Sequence, residues 1–254
     1  MSKLTDLFSS VAEILHIASG NQKNKKFTSA IIVAGGSSSR MASDETKQMM
    51  QICGIPVVVR SLLAFQNCSR INEIIVSAKE DEIDIYENFK EQYGISKLTK
   101  VVSGGATRQE SALRGFDAIS DKADFVAIHD AARCLIKPEE IENVLDAAIK
   151  YGAASASVSV SDTVKIVDKN GFAERTEDRV FVKLAQTPQI FLKNLYCAAA
   201  YTAKEEKISA TDDNMLVERI GYKVKMVECS KNNIKITYPD DVIMAEMIIK
   251  NESE

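Results

Sequence analysis

The chain has 254 residues but only two histidines, His16 and His129, and neither lies near a pair of cysteines. A zinc site is therefore not expected. The five cysteines, Cys53, Cys68, Cys134, Cys197 and Cys229, are odd in number, scattered and free of any CxxC spacing. They read as reduced thiols, in keeping with a cytoplasmic protein. No apolar run is long enough to span a membrane. Residues 1–26 lack the basic start and continuous apolar centre of a signal peptide. A basic excess is missing too: the formal net charge is −4, which argues against nucleic-acid binding. Any anionic ligand must then be held by a local cluster of cations rather than by the overall field. No serine–histidine–acid set, no paired-carboxylate site, no internal repeat and no low-complexity segment stands out.

What is present is an ordinary globular balance, 45% hydrophobic and 27% charged, over a length that suits one large α/β domain or two small ones. The chain is organised around Ile31-Ile32-Val33-Ala34-Gly35-Gly36-Ser37-Ser38-Ser39-Arg40-Met41, with Lys47 shortly after. The apolar run reads as a buried strand. Small residues then let the backbone approach a ligand closely. Backbone amides with Arg40 and Lys47 beside them suit phosphates. An ordinary strand-to-helix turn carrying surface cations is the plainer alternative. The loop is not a Walker loop, because Gly-Lys-Ser/Thr is absent. Nor is it a dinucleotide fingerprint, because the third glycine is missing.

Residues 1–26 read as an appendage. Leu4, Leu7, Phe8, Val11, Ile14 and Leu15 have helical spacing, and a polar linker follows from Gly20. Docking on the body is the favoured fate of this amphipathic helix, over a partner or a membrane surface. From Ser29 strands and helices alternate. Strands are expected over 31–33, 73–78, 100–103 and 124–129, and helices over 56–66, 80–92, 109–119 and 139–150. Such alternation implies a mostly parallel, Rossmann-like sheet flanked by helices. The pattern breaks after a strand over 155–160. Segments 163–167 and 172–176 flank Asp168-Lys169-Asn170-Gly171, a hairpin signal. With little core to lie on, this hairpin reads as a projecting arm, about 159–182, suited to gripping a second subunit; a hairpin folded back on its own domain is the alternative. Helices are expected near 193–203, over 215–220 behind a Thr211-Asp212-Asp213-Asn214 cap, and over 240–250, with a strand over 223–227.

Ligands bind at the carboxyl ends of open parallel sheets. Those ends carry Gly35, Gly36 and Arg40, then Gly104, Gly105, Arg108 and Ser111, then His129, Asp130 and Arg133. Singly, each is explained structurally: Arg108 as a solvated helix residue, His129 as a satisfied semi-buried histidine, Thr211 as a cap. Together they favour a nucleotide site. Without a nucleophile, the chemistry falls to positioning and electrostatics, as in phosphoryl or nucleotidyl transfer. A phosphate monoester acceptor is mostly dianionic at pH 7, its second pKa being about 6, and needs no general base. It needs cations, and Arg40, Lys47, Arg179 and Lys235 are the candidates.

The loop 34–41 with Thr46-Lys47-Gln48, Gly104-Gly105 with Arg108 and Ser111, and His129-Asp130-Ala131-Ala132-Arg133 resemble the 2-C-methyl-D-erythritol 4-phosphate cytidylyltransferase family. So do Asp162-Thr163-Val164-Lys165, Thr187-Pro188-Gln189, Thr211-Asp212 and Asn233-Ile234-Lys235-Ile236-Thr237, all in the family's order from about 29 to 249. The resemblance implies CMP transfer from CTP to methylerythritol phosphate with release of pyrophosphate, in non-mevalonate isoprenoid synthesis. It implies a nucleotidyltransferase domain over 27–254 and a homodimer built by the β-arm. Ala34, Gly35, Gly36, Gly104, Gly105, Ser111, Asp130 and Ala131 would hold the nucleotide. Arg40 and Lys47 would neutralise the triphosphate and stabilise the transition state. Asp130, Arg133, Thr163, Arg179, Thr187, Thr211 and Lys235 would hold the acceptor, with Arg179 and Thr163 reaching it from the arm. Mg²⁺ would ride on the CTP phosphates with few or no protein ligands. The chain departs from the family's usual residues at Ser38, Ala42, Thr46, Met49 and Gly105, the last replacing a residue that is often acidic. These departures bear more on substrate affinity than on activity.

Two other readings compete. A ribitol-5-phosphate cytidylyltransferase shares the loop, but such relatives tend to carry Ser-Val where this chain has Ala131-Ala132. A non-catalytic nucleotide-binding protein on the same fold would not need cations at both ends of the reaction path.

Overall fold

The computed structural model describes residues 26–35 and 46–252. The expected helix within 1–26 and the loop residues Gly36, Arg40 and Met41 lie outside these. A seven-stranded sheet forms the centre, in the order β11-β7-β10-β6-β1-β4-β5. Its strands are β1 (Thr28–Val33), β4 (Glu73–Ala78), β5 (Leu98–Ser103), β6 (Phe125–Asp130), β7 (Ala153–Ser159), β10 (Lys183–Leu192) and β11 (Lys225–Glu228). The small pairs β2 (Gln51–Ile52) with β3 (Ile55–Pro56), and β8 (Lys165–Val167) with β9 (Ala173–Thr176), stand apart from it.

The fully buried β1, β4 and β6 are parallel and in register, with Val33 opposite both Ser77 and Asp130. Their carboxyl ends are thus level, and the residues that follow them face one edge. The helices are α1 (Val57–Asn67), α2 (Ile83–Gln92), α3 (Arg108–Asp117), α4 (Pro138–Tyr151), α5 (Lys193–Glu205), α6 (Asp213–Arg219) and α7 (Pro239–Glu252). One continuous core runs from Ile31 and Phe65 through Ile128 to Phe191 and Tyr196. At Gly115 in α3 an added Cβ would lie 2.5 Å from Ile31 Cγ2, so glycine lets this helix sit down on β1.

The mostly parallel expectation holds, with one strand read from sequence only as a motif. Thr187-Pro188-Gln189 belongs to β10, which runs antiparallel to both β6 and β7. Its pairing with β7 shifts register between Ala185 and Gln189, a bulge that takes 186–188 out of that ladder. The peptide bond between Thr187 and Pro188 is cis. The hairpin β8–β9 forms as expected. Asp168 Oδ1 accepts from the Asn170 and Phe172 amides at 2.9 Å, and Gly171 supplies the positive φ of +87°. Phe172, Val180, Phe181 and Leu184 along the arm and its base are more than half exposed. The Thr211–Asp212 cap resolves to Asp212, whose Oδ1 accepts from the Met215 amide at 3.0 Å; Thr211 itself is exposed.

Candidate active site

The floor of the site is glycine. An added Cβ at Gly35 would sit 3.4 Å from Ser111 Oγ, and one at Gly104 only 2.9 Å from it and 3.2 Å from the Ala78 carbonyl. At Gly105 a Cβ would meet Glu110 Cβ at 2.3 Å. Close approach, not turn conformation, is what demands glycine at 104 and 105, whereas the contact at 35 would be an ordinary one. Ser111 is buried and its hydroxyl is engaged: it accepts from the Gly105 amide at 3.1 Å and donates to the Thr107 carbonyl at 2.9 Å. It shapes the loop that sequence reading has it share with the nucleotide. Glu110 reaches back to accept from the Ala106 amide at 2.8 Å, while Thr107 caps α3 through the Glu110 amide at 3.1 Å. The Glu110 carboxylate therefore occupies the space that a side chain at 105 would need.

Asp130, the last residue of β6, is the electrostatic centre. Its Oδ1 accepts from Arg108 Nε at 2.7 Å and its Oδ2 from Lys235 Nζ at 2.7 Å. Burial alone would raise the Asp130 pKa, but Arg108 and Lys235 overcome this and hold the carboxyl well below the usual range. Arg108 is itself bridged, its Nη1 donating to Asp213 Oδ2 at 2.7 Å. Burial would lower its pKa, but the two carboxylates raise it. Tyr196 donates to Asp213 Oδ1 at 3.0 Å, and Gln189 Oε1 receives the Asp213 and Asn214 amides at 2.9 and 3.1 Å. Arg108 is thus a half-buried strut between the acid that ends β6 and the acid that opens α6, not a solvated residue.

On the other side of Asp130, Arg133 Nη1 donates to the Asn233 carbonyl at 2.9 Å, and burial lowers the Arg133 pKa. Asn233 is fully buried and its side chain donates to Gln186 Oε1 and to the Thr187 carbonyl, both at 3.0 Å. Arg108 Nη2, Arg133 Nε and Asn233 Oδ1 have no protein partner. The loop 233–237 is tied in by the Ile236 amide, which donates to the Ala132 carbonyl at 2.8 Å.

The chain as a whole matches a known group of proteins. The family model for 2-C-methyl-D-erythritol 4-phosphate cytidylyltransferase matches residues 28–251. The chain belongs to this family. Relatives include the cytidylyltransferase of Caldanaerobacter subterraneus, 42% identical over 87% of this chain and 98% of its own length, and that of Clostridium perfringens, 38% identical over 87% and 98%. A solved 4-diphosphocytidyl-2C-methyl-D-erythritol synthase from Anaerococcus prevotii superposes with a TM-score of 0.80 at 31% identity, covering 89% of this chain and 97% of that one. This cytidylyltransferase-family chain is accordingly a nucleotidyltransferase, and its reaction is CTP-dependent cytidylyl transfer in isoprenoid synthesis. Residues 1–27 precede the family match.

The structure places the expected cytidylyltransferase residues unevenly. Ala34, Gly35, Gly104, Gly105, Ser111, Asp130, Ala131, Arg133, Thr187 and Lys235 gather at the carboxyl edge of the sheet. Ala34 is pinned by its amide to the Ser77 carbonyl at 2.8 Å, and Ala131 by its amide to the Val33 carbonyl at 3.1 Å. Lys47 lies in a tight turn closed by the Met49 amide on the Thr46 carbonyl at 2.8 Å. Gly36 and Arg40 fall outside the described residues. Thr163 and Arg179 lie on the arm, exposed, with Arg179 Nη1 donating to the Ser161 carbonyl at 2.5 Å. From sequence Asp213 reads only as part of the Thr211–Asn214 cap; Asp212 does the capping, and Asp213 instead holds Arg108 and Tyr196.

Proposed function

We propose that the carboxyl-edge cluster joins CTP to 2-C-methyl-D-erythritol 4-phosphate by direct in-line attack. The observation that carries this is the buried, doubly bridged Asp130, held between the partly exposed Arg108 and Lys235 beside the glycine floor. Ala34, Gly35, Gly36, Gly104, Gly105, Ser111 and Ala131 form the cytidine side. Arg40 and Lys47 are the cations assigned to the triphosphate. Asp130, Arg133, Thr187, Thr211 and Lys235 form the acceptor side, and Thr163 and Arg179 complete it from the arm of a second subunit.

An oxygen of the acceptor phosphate attacks the α-phosphorus of CTP. A new P–O bond forms, the bond to the bridging oxygen of the β-phosphate breaks, and pyrophosphate leaves with that electron pair. No proton need be removed, because the attacking phosphate is already dianionic at pH 7, above its second pKa of about 6. The protein's part is to bring two anions together and to stabilise the charge that builds on the phosphoryl oxygens. Lys235 is placed to leave one Asp130 oxygen for the incoming phosphate while Arg108 keeps that carboxylate compensated.

Mg²⁺ fits this site as a companion of CTP rather than as a resident of a protein cage. Both Asp130 oxygens are taken by cations, and the described residues hold no group of three or more His, Cys, Asp or Glu able to bind a metal ion. When bound on the phosphates it offsets their charge. The arm's exposed Phe172, Val180 and Phe181 support a homodimer, since isolated apolar surface of that kind is stabilised by a partner. Among the described residues no helix is long and apolar enough to cross a membrane, and all five cysteines are free, which supports a reducing, cytoplasmic setting.

Pyrophosphate release is the test, with CTP and Mg²⁺ against methylerythritol phosphate and ribitol 5-phosphate in parallel. Release is expected with the first. Faster release with the second overturns the acceptor assignment. CTP binding without release from either overturns the catalytic reading.

A further inference from the structure

His129 is fully buried, with the Phe65 ring 4.9 Å away from its own. Its Nε2 lies 3.1 Å from the Arg133 carbonyl and its Nδ1 3.0 Å from Thr187 Oγ1. A carbonyl oxygen can only accept, so Nε2 carries the ring proton and Nδ1 is left as an acceptor. The Thr187 hydroxyl must then donate to Nδ1. The same hydroxyl oxygen accepts the Asp130 amide at 3.0 Å. One chain of donors results: Asp130 amide to Thr187 hydroxyl, hydroxyl to imidazole, imidazole to the Arg133 carbonyl. The Arg133 amide returns to the Asp130 carbonyl at 2.9 Å and closes the circuit.

We propose that His129 is a positioning residue of the acceptor side, which orients the Thr187 hydroxyl and through it sets Asp130 and Arg133 as one unit. Thr187 then has no proton left for a substrate phosphate, and its influence on the acceptor passes through Asp130. Burial holds the imidazole neutral, its pKa pushed down to about 4, so the direction of the relay is fixed across the working pH range. The absence of solvent around the ring adds to this, because no water competes for either nitrogen. The proposal rests on the acceptor-side role given to Asp130 and Arg133 above.

A double-mutant cycle on the full-length protein separates the alternatives. Thr187→Val removes the hydroxyl at constant shape, and His129→Phe removes both ring nitrogens. Each is expected to raise KM for methylerythritol phosphate about tenfold, the worth of one hydrogen bond, with KM for CTP unchanged. The double variant is expected to be no worse than the poorer single, and Thr187→Ser to restore most of the loss. Multiplicative losses mean that Thr187 contacts the substrate directly, and they overturn the proposal. A readout independent of turnover covers variants that fail to fold: nitrogen-15 NMR of wild-type imidazoles. A single neutral Nε2–H tautomer for His129 at pH 7 is expected, and an Nδ1–H form overturns the relay. Were the wild type to release no pyrophosphate, the functional reading would fail while the tautomer still judged this one.

Discussion

Lys235 reaches across 105 positions of sequence to place its ammonium 2.7 Å from Asp130 Oδ2. The contact joins the end of a central strand to a loop near the carboxyl terminus, and both partners flank the proposed acceptor position. It costs little to exchange, because Lys235 keeps 39% of its side chain exposed while Asp130 stays compensated by Arg108.

Asp130→Asn is expected to destabilise the protein by about 3 kcal/mol at pH 7, as breaking a buried ion pair does. The carboxyl of Asp130 is depressed in the folded state, so its contribution is complete above the unfolded carboxylate pKa of 3.8. It fades only as pH falls below that value. Denaturant unfolding of wild type and variant between pH 8 and pH 3 checks this: the gap should be constant to about pH 4 and narrow below it.

The histidine works the other way. His129 titrates at 6.5 when unfolded and at about 4 when folded. The unfolded chain therefore takes up a proton first, and acid costs stability from pH 6.5 downward until both states are charged below about 4. The full loss is about 3 kcal/mol at 1.36 kcal/mol per pH unit. Thermal unfolding of His129→Asn should lack this slope between pH 6.5 and 4.5.

Gly105→Ala should disturb the nucleotide loop without reaching the core. Its methyl would meet Glu110 Cβ at 2.3 Å, so Glu110 must move and release the Ala106 amide. A destabilisation of about 1–3 kcal/mol is expected, with KM for CTP raised more than KM for the sugar phosphate. Gly105→Ala combined with Glu110→Ala should recover little, because alanine keeps the Cβ that the new methyl meets.

Lys47→Ala should act on the chemical step. In its proposed place against the triphosphate, the ammonium would gain most as charge builds in the transition state, so kcat should fall by about 10²-fold or more. Steady-state kinetics decide it: a change confined to KM for CTP would make Lys47 a uniform binder.

The arm is expected to govern assembly. Phe181→Asp replaces a side chain that is 84% exposed, so the fold of the single chain should be untouched. Sedimentation should show dimers giving way to monomers at micromolar concentration. If Arg179 acts across the interface, mixing Phe181→Asp with wild type should not restore turnover to the monomeric fraction.

Much of this architecture was legible in the chain. The apolar β-branched runs ending at Val33, Ala78 and His129 mark central parallel strands, and periodic helices separate them. β10 was not legible as a strand, because Pro188 lacks an amide donor and the bulge breaks the alternation that sequence reading relies on. The glycines and Asp130 could be placed from position alone. The roles of Arg108 and Asp213 could not, because their meaning lies in a meeting across 105 residues that no local pattern encodes. His129 reads from sequence as a satisfied semi-buried histidine; it is satisfied but fully buried, and what sequence could not give is which atoms satisfy it.

The register shift in β10 has a cost and a use. Residues 186–188 forgo ladder bonds to β7, which a regular strand would have kept. The backbone group set free turns up elsewhere: the Thr187 carbonyl receives the Asn233 side chain, beside the Gln186 side chain that receives it too and the Thr187 hydroxyl that receives the Asp130 amide. The sheet has converted mechanical continuity into chemical vocabulary beside the proposed acceptor side. Repairing that ladder would be expected to give a stiffer protein with less to say to its ligand.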